Sequence, residues 1–145
     1  MNRDIGVFVN PERPRYSLIR DEVLTAERLG FDSVWLSDHV SGLVGNPAKP
    51  FYECWTTTSA LASETQRIIL GQLVICTPFR HPPMVAKMGA TLDSISDGRL
   101  ILGLGARVLL EWTTSSSGSW AGTLIVRRRY SPSRSSPRYS YSLHW

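Results

Sequence analysis

Residues 67–75 read Arg-Ile-Ile-Leu-Gly-Gln-Leu-Val-Ile, a run in which apolar side chains fall on both faces of an extended chain. A strand in the middle of a parallel sheet is covered on both sides and therefore reads as a near-continuous apolar run, whereas a half-exposed strand alternates. Residues 67–75 are thus predicted to form a central strand of a parallel sheet.

On either side of this strand, short apolar runs alternate with stretches of helical periodicity. Three more strands are predicted, at residues 5–9, 31–36 and 99–103. Helices are predicted from Ser17 to a Gly30 cap, from near Trp55 to Glu64, and from Pro82-Pro83 to the 96–98 stop, because proline suits a first helical turn and glycine a C-terminal cap. The expected buried stripes are Ile19, Val23, Ala26 and Leu29 in the first helix and Met84, Met88, Leu92 and Ile95 in the third.

The order β-α-β-α-β-α-β with short joints implies right-handed crossovers and a parallel sheet. Either an open doubly wound sheet or a (β/α)8 barrel fits it. No GxGxxG motif follows the first strand, which weakens the dinucleotide-binding alternative. Polar residues gather directly after strands, where a barrel carries its active site, and this favours the barrel. They are Asp38, His39, Thr77 and Arg80.

Eleven residues of this pattern, 29–39 (LGFDSVWLSDH), resemble the second-strand signature of the luciferase-like monooxygenase family. Further matching stretches follow in the same order without large gaps, so that the resemblance covers roughly residues 4–106. They are 67–71 (RIILG), 78–82 (PFRHP), 86–88 (AKM), 92–100 (LDSISDGRL) and 103–106 (GLGA).

The resemblance implies an α/β barrel oxidoreductase that binds FMN or the deazaflavin coenzyme F420 and passes hydride to or from a small-molecule substrate, with O2 used by some members. It implies a homodimer packed through the second and third helices. The resemblance implies that His39 lies near the cofactor ring, where a histidine can exchange a proton, and the adjacent carboxylate of Asp38 can orient it. Both are predicted to be catalytic, and the alternative is a loop pair with no function. The resemblance also implies a non-proline cis peptide at Leu73 and Val74 against the cofactor ring, and the alternative is an ordinary buried strand end. The other predicted cofactor-binding residues are Cys76 and Thr77, at the same strand end, and Arg80, whose guanidinium suits anionic oxygens; the alternative for Arg80 is a solvated loop charge.

After Ala106 the family pattern stops. Ten of the 39 residues at 107–145 are Ser, and this segment has 6 Arg and 1 Glu. Residues 1–106, in contrast, contain 10 Lys and Arg in total and 11 Asp and Glu. The excess positive charge of the chain therefore belongs to this tail. We expect two parts, an N-terminal half-barrel of about four strands (1–106) and an irregular basic tail (107–145). The tail is interpreted as out of frame or disordered, and the alternative is a functional Ser/Arg segment that binds RNA or another acidic partner.

The remaining features exclude several protein classes. Cys54 and Cys76 are too few and too far apart for a disulfide framework or a zinc site, and are expected to be small buried hydrophobic residues. No signal-peptide core or long apolar run is present, so a cytoplasmic protein without a membrane partner is expected. Neither a metal nor a nucleic acid is expected to be a partner of the folded half. With half a barrel, little or no activity is expected from this chain alone.

Overall fold

The computed structural model describes residues 4–42 and 49–105, together with the backbone of residues 123–129 and 138–144. Strands and helices alternate along residues 4–42 and 49–105, as the sequence predicts. The strands are β1 (Gly6–Phe8), β2 (Ser33–Leu36), β3 (Ile69–Gln72), β4 (Ile75–Cys76), β5 (Leu100–Gly105), β6 (Thr123–Arg129) and β7 (Arg138–His144). The α-helices are α1 (Tyr16–Arg28), α2 (Cys54–Glu64) and α3 (Pro82–Ile95), and a 3-10 turn spans Thr77–Phe79.

The strands form one sheet in the order β1-β2-β3-β5-β6-β7, with β4 paired to β5. The pairs from β1 to β5 are parallel, in a register that sets Val34 opposite Leu70. The hydrophobic core lies between the helices and one face of this sheet, and it contains Val34 and Leu70 with no exposed surface. On the opposite face of the sheet Phe8 is 52% exposed. Among the described residues, the sheet is therefore covered by helices on one side only.

Trp35 lies on this second face and dictates which residues can flank it. A Cβ added to Gly71 would overlap the indole ring, and one added to Gly6 would come within 2.7 Å of Trp35 Nε1. The indole nitrogen donates a hydrogen bond to Ser33 Oγ at 2.9 Å. Glycine on each neighbouring strand thus makes room for a ring that spreads across three strands.

The strand predicted at 67–75 is divided in the structure. β3 ends at Gln72 and β4 begins at Ile75, and the Leu73–Val74 peptide bond between them is cis, as the family resemblance implied. Val74 lies against β5, where a Cβ on Gly105 would approach its Cγ2 to 2.5 Å. Period and composition could not reveal the division because all of these side chains remain apolar.

Two buried stripes were predicted only in part. In α1 Ile19, Val23 and Ala26 are buried, but Leu29 is 72% exposed because it lies beyond the last helical residue, before the turn at Gly30. In α3 the prediction of Met84 and Ile95 as buried is wrong, since they are 55% and 53% exposed. Leu92 is buried as predicted and Met88 is partly buried against the core, and the other buried positions of α3 are Val85, Gly89 and Asp93.

The tail, expected to be irregular, contains two strands. β6 pairs antiparallel with β5, and β7 pairs antiparallel with β6. The sequence of β6 begins Thr-Leu-Ile-Val, which suits an extended chain, and β5 offers it a row of unpaired backbone groups. The predicted boundary between residues 1–106 and 107–145 falls outside the described residues and stays a prediction.

Candidate functional site

Asp38 lies two residues beyond the end of β2, and the chain folds so that Arg80 reaches it from the turn before α3. Arg80 Nη1 donates to Asp38 Oδ2 at 2.5 Å and Nη2 donates to Asp38 Oδ1 at 3.0 Å, which is a two-pronged pairing. The N–H of Cys76 donates to the same carboxylate at 2.9 Å. Asp38 is 5% exposed. A carboxylate so deeply buried needs such partners, because burying an unpaired charge is costly.

Glu53 joins this pair, although the sequence analysis did not identify it. It is the N-cap of α2, where its carboxylate accepts hydrogen bonds from Trp55 N at 3.0 Å and Thr56 N at 2.6 Å. It also accepts one from Arg80 Nη2. An acidic residue directly before a predicted helix was the signal for the capping role. The contact with Arg80 had no signal in the sequence.

The charges of this group stabilise one another. The hydrogen bonds from Arg80 to Asp38 raise the pKa of the guanidinium, as do those to Glu53, against the effect of burial. For Glu53, burial alone would raise the pKa, but the backbone and side-chain donors of α2 and Arg80 outweigh it, so the pKa is lowered. All these contacts favour the ionised forms of Arg80 and Glu53.

His39 lies beside this group and is partly buried. Its ring meets that of Phe51 edge to face, with centroids 5.9 Å apart and an interplanar angle of 79°. Burial lowers the pKa of His39 below its ordinary value, and the neighbouring Asp38 opposes the shift only in part. The imidazole is therefore mainly neutral at pH 7, when one ring nitrogen can accept a proton.

Three of the predicted site residues, Asp38, His39 and Arg80, line one open cleft of about 510 Å³ at the carboxyl ends of the strands. Its wall combines charged groups with apolar and aromatic side chains. The other lining residues are Val40, Phe51, Glu53, Thr56, Phe79 and Met88.

The other four predicted residues, Leu73, Val74, Cys76 and Thr77, lie next to the cleft and do not line it. Leu73 is 45% exposed, and Val74 packs over β5 on the face opposite the helices. Thr77 donates through Oγ1 to the carbonyl oxygen of Gly105 at 2.8 Å, which ties the end of β4 to the end of β5. The structure thus gathers all seven predicted residues at one end of the sheet, on two adjoining surfaces.

The two cysteines differ in their surroundings. Cys54 is fully buried as predicted, and burial raises the pKa of its thiol. Cys76 is only partly buried, so the expectation of a small buried hydrophobic residue is wrong for it. Its thiol pKa is also raised, by burial and by Asp38. In the part of the chain that the structure describes, no three His, Cys, Asp or Glu residues are grouped as a metal would require.

None of the helices among the described residues is long and apolar enough to cross a membrane.

Comparison with known proteins gives consistent relatives. Residues 4–111 match the family model of luciferase-like monooxygenases. Limonene 1,2-monooxygenase of Rhodococcus erythropolis is 44% identical over an alignment of 115 residues, which covers 74% of this chain and 29% of that protein. An F420-dependent hydroxymycolic acid dehydrogenase of Mycobacterium tuberculosis is 33% identical over 105 residues, 72% of this chain and 29% of the relative. The chain therefore spans less than a third of the length of these relatives.

Solved structures with the same fold include two kinds of enzyme. An F420-dependent secondary alcohol dehydrogenase, in complex with an F420-acetone adduct, matches with a TM-score of 0.67 and 28% identity over 78% of this chain and 36% of its own. The oxygenating constituent of 3,6-diketocamphane monooxygenase from Pseudomonas putida, in complex with FMN, matches with a TM-score of 0.61 and 27% identity. The match covers 74% of this chain and 31% of that protein. These similarities confirm that the parallel sheet is part of a (β/α)8 barrel. The chain belongs to the luciferase-like monooxygenase family.

Proposed function

We propose that residues 4–105 supply the first half of a flavin or deazaflavin site in an oxidoreductase that passes hydride between this cofactor and a small-molecule substrate. The observation that carries the proposal is that His39 and Asp38, in the cleft, and the cis Leu73–Val74 peptide, on the adjoining surface, lie at the same carboxyl end of a parallel barrel sheet. The relatives named above use F420 in some cases and FMN in another, so either cofactor fits the proposal.

The residues present fit a planar, partly apolar ring. Leu73 offers an exposed apolar surface, and Val74 occupies the space that the absent side chains of Gly103 and Gly105 leave over β5. Flavin-type cofactors supply the hydride chemistry when bound, while the protein supplies orientation and electrostatics. Such a wall would hold one ring face and exclude water from it.

Each predicted side chain is assigned a task. His39, neutral at pH 7, would accept or return a proton at a ring nitrogen, and Asp38 would contribute through its charge and its place beside His39. Cys76 and Thr77 would approach the cofactor edge from the end of β4. Arg80 is proposed to offer it the N–H groups that are left over, since two carboxylates accept three hydrogen bonds from a guanidinium with five N–H donors.

The described strands form only part of a barrel, so we expect the 145-residue chain by itself to bind a cofactor weakly and to have little activity. The tail predicted from residue 107 is proposed to lie outside the family domain beyond residue 111, where the match to the family model ends. A second candidate is a non-catalytic role, in which the chain dimerises or binds an acidic partner such as RNA through its tail. The run Arg127-Arg128-Arg129, which ends β6, is the observation that favours it. A homodimer and a cytoplasmic location remain part of the proposal.

Fluorescence titration of the full chain with FMN and with F420 tests the first candidate. We expect saturable binding, weakened about tenfold in His39→Asn, which corresponds to about 1.4 kcal/mol. The matched control is His81→Asn, because His81 is exposed and does not line the cleft. No saturation with either cofactor would contradict the proposal. RNA binding that weakens with salt and is lost when Arg127, Arg128 and Arg129 are changed to Gln would favour the second candidate.

A further inference from the structure

Asp38, Arg80 and Glu53 form an ion triad in which Arg80 contacts both carboxylates, and the triad joins three separate segments. Asp38 comes from the end of β2, Glu53 from the start of α2, and Arg80 from the turn before α3. The side chain of Asp38 is 3% exposed and that of Arg80 is 14% exposed, whereas Glu53 is open to solvent at 48%. The buried part of the triad is therefore the Asp38–Arg80 pair, and Glu53 holds Arg80 from the solvent side.

We propose that Arg80 is a positioning residue for His39, which it serves by neutralising Asp38 so that the adjacent imidazole stays uncharged against Phe51. Asp38 directly precedes His39 in the chain, and an unpaired carboxylate there would attract a proton to the ring. The two-pronged contact from Arg80 directs the charge of Asp38 toward the guanidinium. His39 is left with an aromatic neighbour rather than an available anion.

The other charges around His39 agree with this role. The charged residues that line the cleft with it are Asp38 on its own segment, Glu53 from α2 and Arg80 from the turn before α3, within the described part of the chain. Glu53 is engaged by Arg80 and by two backbone N–H groups of α2. Each carboxylate near His39 thus has a donor other than the imidazole.

This inference rests on the proposed function only in giving a neutral imidazole a task at the cofactor. A neutral ring can accept a proton, while a charged ring cannot. The coupling between Arg80 and His39 exists in the chain without any ligand. It can therefore be measured separately from cofactor binding.

The test is an NMR titration of the histidine Cε1 protons in the full chain, which has three histidines: His39, His81 and His144. His39→Asn identifies the signal of interest. In Arg80→Gln the titration midpoint of His39 should rise by on the order of one pH unit, because Asp38 loses its counter-charge. Arg20→Gln is the matched control, since it breaks an exposed ion pair with Glu64 and should leave the midpoint unchanged.

A second variant separates electrostatics from general damage. When Asp38→Asn is combined with Arg80→Gln, the rise should be abolished, because no carboxylate remains to be neutralised. Should Arg80→Gln alone fail to fold by circular dichroism, Asp38→Asn alone decides: the midpoint must fall, because the carboxylate adjacent to His39 is removed while Arg80, held by Glu53 alone, keeps its positive charge. An unchanged midpoint in folded Arg80→Gln, or in folded Asp38→Asn where Arg80→Gln does not fold, overturns the proposal. If the wild type binds neither cofactor but the midpoint shifts, the proposed function fails and this inference stands.

Discussion

Replacing Arg99 by Met should destabilise the fold, because its guanidinium closes the end of α2. Nη2 donates to Ala62 O at 2.8 Å and Thr65 O at 3.0 Å, while Nη1 donates to Thr65 Oγ1 at 2.8 Å and Ile68 O at 3.0 Å. Nε donates to Ser96 O at 2.7 Å. Ala62 lies in the last turn of α2 and Thr65 is its C-cap residue, and carbonyl groups at the end of a helix lack an intrahelical donor.

The magnitude follows from these contacts. A hydrogen bond is worth about 1 kcal/mol net, and rather more when the donor is charged. The guanidinium is partly exposed, so that water replaces some of the five bonds in the variant. We therefore expect Arg99→Met to lower the free energy of unfolding by about 2–4 kcal/mol. Arg99→Lys should recover only part of this loss, since a single ammonium group cannot make all the hydrogen bonds that the planar guanidinium makes.

Urea unfolding of the full chain, followed by tryptophan fluorescence and circular dichroism, measures this difference. Arg20→Met is the control, because its ion pair with Glu64 is exposed and should contribute little to stability. If Arg99→Met changed the free energy of unfolding no more than Arg20→Met does, the guanidinium would not be capping α2. The same conclusion would follow if Arg99→Lys were as stable as the wild type.

Two further changes test packing and electrostatics. Gly103→Ala should lower the free energy of unfolding by about 1–3 kcal/mol, since the added Cβ would overlap Gln72 O. Gly89→Ala in α3 should be neutral or stabilising, because the nearest atom to the added Cβ is 3.4 Å away. Equal melting temperatures of the two variants would refute this contrast. Burial alone would raise the pKa of Glu27, but hydrogen bonds from the three backbone N–H groups at 66–68 outweigh it, so that the pKa is lowered. The ionised Glu27 side chain therefore stabilises the fold at neutral pH, and this stabilisation is lost as the pH falls through the pKa of the folded state. Glu27→Gln should therefore destabilise the chain at neutral pH and lose its effect in acid, as thermal melts against pH would reveal.

The sequence by itself determined the order of strands and helices, the parallel sheet and the family. These depend on local signals: apolar runs such as 67–75, the proline at the start of α3, and Gly30, whose positive φ of 86° ends α1. It also placed Asp38 and His39 correctly at a strand end. Local preferences act within a few residues of the chain, so one sequence is sufficient to display them.

Only the tertiary structure decided which charges meet. Arg80 is 42 residues from Asp38, and its contact with Glu53 depends on how α2 and α3 pack against the sheet. The buried face of α3 was predicted only in part, because a helix with apolar residues at Met84, Val85 and Met88 offers two possible stripes. Packing against β5 selects between them, and no local period contains that information. Long-range pairing of buried charges and the choice of a helix face are properties of the assembled core.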